Sequence, residues 1–155
     1  MFFHQLYTSG FVSSPNYPDS YPDKLQRIQT IQVEEGQIIF LHFIAFNLPY
    51  KWSCSGSDQL TIEDGDGTTL MKKACGSLYA GKIDLGTGVN IGSLLPPNIT
   101  STSNTVKLIF KTDDDDTGSR SGWNVTWRAV APGWSQPFVN INCFIFSTQL
   151  HSIHK

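Results

Sequence analysis

Apolar residues at every second position recur along this chain, and no segment of ten or more residues carries the 3.6-residue period of an amphipathic helix. Ile31 and Val33 alternate with polar neighbours until Gly36 marks a turn. Ile39, Leu41 and Phe43 then fall on one face of the next run, and Ile38, Phe40 and Ile44 on the other. Two apolar faces predict a strand buried centrally between layers. The β-branched and aromatic residues of this run disfavour a helix. Leu60 and Ile62 alternate before Glu63-Asp64-Gly65-Asp66-Gly67, which reads as a hairpin turn. Residues 76–98 are Gly-rich and irregular. Alternation returns at Val106, Leu108 and Phe110, and again at Trp123, Val125 and Trp127. The expected fold is all-β, an antiparallel sandwich of two packed sheets.

Composition narrows the class further. A chain of 155 residues is one domain with something left over. Its 39% hydrophobic and 12% aromatic content exclude wholesale disorder. A net charge of −2 without a basic stripe argues against a nucleic-acid partner. No apolar run approaches the ~18–20 residues of a membrane span. Gly10 to Pro22 is a Pro/Tyr-rich extended stretch whose prolines lack amide donors, so it should wrap an edge. The expected division is a lead-in over 1–9, a domain over 10–130, and a tail over 131–155 that begins at Ala131-Pro132-Gly133. Within the tail, Phe138 to Phe146 reads as an extra strand, an edge-pairing hazard, or the end of an incomplete gene model.

Met1-Phe2-Phe3-His4-Gln5 has neither the basic start nor the apolar core of a secretory signal. Asn98-Ile99-Thr100 and Asn124-Val125-Thr126, both glycosylation acceptors, point the other way. The combination suggests a truncated chain or an excised domain of an extracellular protein.

From about Gly10 to Val130 the chain resembles the CUB domain, an extracellular jelly-roll-like β-sandwich. Ser14-Pro15-Asn16-Tyr17-Pro18 and Tyr21-Pro22 match the family's opening. Ile31, Gly36, Ile39, Leu41, Phe43 and Phe46 keep its central spacing. Cys54, Asp58, Leu60 and Ile62, then Asp64-Gly65, then Cys75-Gly76 follow in order. Ser101-Thr102, Asn104, and Asp113 to Gly122-Trp123 complete the match. By this resemblance Cys54 and Cys75 form the family's second disulfide, closing a loop of about 20 residues worth roughly 3 kcal/mol. Two buried free thiols are the alternative. The family's first disulfide is absent, as in some members: Arg27 stands at its site. Cys143 is either free or pairs with another chain.

Asp113 to Asp116 place four carboxylates on adjacent residues, so this loop must be solvated or neutralised by a cation. Calcium takes six to eight oxygen ligands. In calcium-binding members of the family a Glu and two Asp share one ion near a Tyr. The resemblance puts Asp58 and Asp113 at the Asp positions, Asp115 as a carbonyl donor, and Tyr17 as the Tyr. The Glu position is Pro49, which has no carboxylate, and a solvated acidic loop without calcium is the alternative. Asp64-Gly65-Asp66-Gly67 resembles the start of an EF-hand loop, but no Glu stands at the twelfth position, which favours a plain turn.

Catalytic signals are thin. No zinc-protease helix, nucleophile elbow, phosphate-cradling loop or Cys-x-x-Cys pair occurs. Only His42 could act as a base from within the fold, and its strand position suggests a sheet-face residue. Trp123 and Trp127 read as core packing, with a sugar platform as the alternative. The expected function is a non-catalytic extracellular recognition module holding a protein or glycan through loops at one end. The rivals are a fragment of a larger secreted metalloprotease or serine protease, and a lectin.

Overall fold

The computed structural model describes residues 6–77, 79–92, 95–115 and 120–137. Among these residues nine strands follow in order: β1 Ser9–Ser13, β2 Gln26–Gln32, β3 Ile38–Asn47, β4 Gln59–Asp64, β5 Thr69–Ser77, β6 Lys82–Asp84, β7 Ile99–Thr100, β8 Thr105–Lys111 and β9 Gly122–Val130. Every pairing between them is antiparallel. The order across the sheet is β1-β9-β3-β5-β4-β8-β2, with β6 beside β5 and β7 beside β3. One layer is built on β1, β9 and β3, and the other on β4, β8 and β2. β5 joins the two: Ala74 and Met71 face β4, whereas Ser77 meets Asn47 of β3. The all-β sandwich expected from the alternation is the fold observed.

The alternating residues form the core between the layers. Ile39, Leu41 and Phe43 of β3, Leu60 and Ile62 of β4, Val106, Leu108 and Phe110 of β8, and Trp123 and Val125 of β9 are all buried there. Phe110 makes edge contacts with Tyr21 at 5.0 Å and Trp123 at 5.8 Å. Asp64-Gly65-Asp66-Gly67 turns β4 into β5.

β3 differs from its sequence reading. Only one of its faces enters the core, because each layer of a two-layer sandwich has a single inner side. On the outer face Ile44 is 48% exposed and His42 is exposed, while Phe40 falls to 8%. Trp134, just past β9, covers Phe40 with ring centroids 4.8 Å apart, and the Arg128 guanidinium lies over both rings. The start of the expected tail is thus packed on the sheet. At the other terminus β1 begins at Ser9, and the Thr8 carbonyl accepts from the Ala129 amide. β1 is an edge strand, and residues 14–25 cross from it to the other layer.

Candidate functional site

Register brings several connections to one end of the sandwich. Ser13 pairs with Asn124, Asn47 with both Ser77 and Gly122, and Gln26 and Gln59 with Lys111. The β1–β2, β3–β4, β5–β6 and β8–β9 connections therefore leave together. Thr112, buried just after β8, ties two of them. Its hydroxyl donates to the Pro22 carbonyl (2.9 Å) and accepts from the Leu25 amide (2.7 Å). The Lys24 amide then donates to the Asp113 carbonyl (2.8 Å).

Asp58 lies beneath these loops and is only 4% exposed. Its Oδ2 accepts from the Tyr21 phenol at 2.6 Å, and its Oδ1 from the Asp113 amide at 2.8 Å. Burial raises the Asp58 carboxyl above its ordinary value, although both donors pull it down. Burial and then the bond to Asp58 hold the Tyr21 phenol far above its ordinary range, against the nearby Arg120 cation. The Asp113 carboxylate accepts from the Asp115 amide at Oδ1 (3.0 Å) and from the Lys51 ammonium at Oδ2 (2.9 Å). Lys51 Nζ also donates to the Gly56 carbonyl (3.0 Å). The hydrogen bond to Asp113 raises the Lys51 amine above its ordinary value.

The loop carrying Lys51 is held from its far side as well. Cys54 and Cys75 are disulfide-bonded with Cα atoms 5.6 Å apart, fastening the β3–β4 loop to β5. The Ser53 amide donates to Asp84 Oδ2 (3.1 Å), and Asp84 Oδ1 accepts from Thr87 (2.8 Å) and Gly88 (3.1 Å). Trp52, 72% exposed, lies against Gly88. Val89 beside it is 63% exposed, and the Lys82 ammonium sits 5.1 Å from the Tyr50 ring centre. The result is an exposed apolar, aromatic rim on loops fastened by the disulfide and by Asp84.

Of the residues singled out in the sequence, Asp58 and Asp113 meet, and Asp115 lies two residues beyond. Pro49 contributes only its carbonyl, which accepts from Ser57 Oγ and the Gly76 amide, both at 3.3 Å. The phenol on Asp58 belongs to Tyr21; Tyr17 lies in the preceding turn, half-buried. Asn98 is exposed, with its Oδ1 2.7 Å from His42 Nδ1 and its amide donating to Gln136 Oε1 (2.8 Å). Asn124 sits within β9, half-buried, between Ser13 and Ala45. Trp123 is fully buried, whereas Trp127 is half-buried beside a shallow cavity of about 490 Å³ with Phe11, His42, Arg128 and Gln136. Cys143 and Phe138 to Phe146 fall outside the described residues. Sequence reasoning passed over Tyr21, Lys51 and Trp52. Tyr21-Pro22 repeats the Tyr17-Pro18 pair and could have flagged the first, but a lone loop Lys or Trp carries no pattern.

Fold and loop end together define an antiparallel β-sandwich module with four of its connections gathered at one end. The CUB domain family matches residues 4–127, and the chain belongs to that family. Human cubilin is 35% identical over 126 residues, covering 80% of this chain and 3% of cubilin. The chain thus spans a small fraction of that relative's length. Among solved structures, the CUB1-EGF-CUB2 domain of human MASP-1/3 aligns with a TM-score of 0.64 and 25% identity, over 81% of this chain and 42% of that one. The MASP-1 CUB2 domain bound to Ca²⁺ aligns with a TM-score of 0.55 and 22% identity, over 79% and 94%. The last likeness is one of fold.

Proposed function

We propose that this chain is a non-catalytic, extracellular recognition domain that binds a protein ligand through the loops around Lys51 and Trp52. The observation that carries this reading is Trp52. An indole 72% exposed, on a loop fastened by a disulfide and by Asp84, is a costly way to use a tryptophan unless a partner covers it. Aromatic anchors on pre-ordered loops dominate many protein interfaces, because they bury large areas with little loss of freedom. Two sequons and a disulfide support an oxidising, extracellular setting. Only three cysteines are present in the chain, which supports a likeness to CUB members without the first disulfide. Cubilin's length supports reading the chain as one module of a larger protein. A secreted protease is the alternative parent, with the domain directing substrate choice. A calcium ion at Asp58, Asp113 and Asp115 would order the same loops, and the side chain that bears on that question is Lys51.

A lectin reading rests on the cavity beside Trp127, where Phe11 is 72% exposed among polar neighbours. Arrays of extracellular protein domains and of glycans, probed with the purified chain, separate the two. Protein ligands that lose affinity about tenfold or more on Trp52→Ala are the expected result. Binding confined to glycans, and abolished by Trp127→Ala, would replace it with the lectin reading.

A further inference from the structure

We propose that the Lys51 ammonium is this domain's built-in cation: it occupies the place on the Asp113 carboxylate that the family resemblance would give to calcium, and it orders the loop end without metal. The residues present do not fit calcium. Each carboxylate oxygen of Asp58 and Asp113 already accepts a hydrogen bond: from the Tyr21 hydroxyl, the Asp113 amide, the Asp115 amide and Lys51. Each of these bonds takes one of the two lone pairs on its oxygen, and the Lys51 ammonium places a positive charge beside Asp113 that repels a dication. Calcium wants six to eight oxygens with several charges among them. Here the third carboxylate is missing at Pro49, and among the described residues no group of three His, Cys, Asp or Glu converges on one point.

Lys51 does what a cation would do there, at unit charge. Its nitrogen bridges Asp113 Oδ2 on the β8–β9 loop and the Gly56 carbonyl on the β3–β4 loop. An exposed ion pair normally contributes little, because two long side chains must be held in register. Lys51 escapes part of that cost. It stands on a loop fixed three residues later by Cys54, and Asp113 is anchored through its own amide and carbonyl. Lys51 also feels the charges of Asp115 and Asp58, and Arg120 stands near Tyr21, so the loop end holds cations of its own beside its carboxylates.

The test is amide hydrogen exchange and thermal melting of the full chain, in calcium chloride at millimolar concentration and in chelator. The wild-type melting midpoint is expected to be the same in both. Lys51→Gln should speed exchange of the Asp113 and Asp115 amides roughly tenfold in chelator, and Lys51→Arg should retain most of the protection. A wild-type midpoint raised by about 2 °C or more in calcium overturns the proposal, since only an ion bound to the native state stabilises it. So does Lys51→Gln exchanging at the wild-type rate in chelator. These readouts need no ligand and stand whether or not Trp52 anchors a partner.

Discussion

The Tyr21 phenol donates to Asp58 Oδ2 across 2.6 Å, in the buried floor of the loop end. The same ring packs edge-on against Phe110, 5.0 Å away, so one side chain spans the core and the site. Tyr21→Phe keeps the core contact and removes one of two donors from a buried carboxylate. The expected cost is about 1–2 kcal/mol of unfolding free energy. Tyr17→Phe, which leaves that bond in place, is expected to cost much less. Urea denaturation of both variants checks the pair.

Asp64, the last residue of β4, is also a buried aspartate, and its surroundings reverse the balance at Asp58. Burial opposes its ionisation, but hydrogen bonds from Ser103, Thr102 and Gly65 outweigh it and hold the carboxyl down to about 2. A group whose native value is depressed stabilises the fold above its unfolded value of about 3.9, and that contribution is lost as pH falls toward 2. Asp64→Asn should therefore cost about 2 kcal/mol at pH 7, and the gap to wild type should shrink below pH 4. Asp58 runs the other way. Its raised value means that its ionised form costs stability, so Asp58→Asn should be near neutral at pH 7. Melting curves from pH 2 to 8 decide both.

These contrasts show what the sequence could and could not reveal. β2, β3, β4, β8 and β9 were legible because a strand with one buried face writes a period of two into the chain. β6 and β7 span three and two residues, too short for any period to register. The outer face of β3 was misread because apolar letters do not say what covers them: Phe40 has Trp134, and Ile44 has water. At the site, Asp58 and Asp113 could be found because the family motif names their positions. Tyr21 could not be told from Tyr17, since both precede a proline and only the Thr112 clamp shows which turns inward. The contact of Lys51 with Asp113 joins residues 62 apart in sequence and is a product of the fold alone.

Gly76 offers a test of the β5–β6 pairing. Its φ is +98°, and an added Cβ would run into the Lys82 carbonyl, a backbone atom that cannot move aside. Gly36 has a similar φ of +88° but faces open space. Gly36→Ala is expected to carry only the backbone cost, about 1 kcal/mol. Gly76→Ala should cost at least about 2 kcal/mol more, because β6 must separate from β5 or the strand must twist. Chemical denaturation of the two alanine variants is the measurement; equal losses would mean that β6 is loosely held.

Trp134 tests whether the chain just past β9 helps to hold the sheet. Its ring meets Phe40 edge-on at 4.8 Å, and Arg128 lies 4.7 Å from its centre. Trp134→Ala removes an aromatic pair and a cation–π contact at once, and it uncovers Phe40. The expected loss is about 1–2 kcal/mol beyond that of an ordinary surface substitution. Trp52→Ala, which strips an indole from the exposed rim, should leave stability within about 0.5 kcal/mol of wild type. A Trp134→Ala variant as stable as wild type would mean that Trp134 rests on the sheet without holding it.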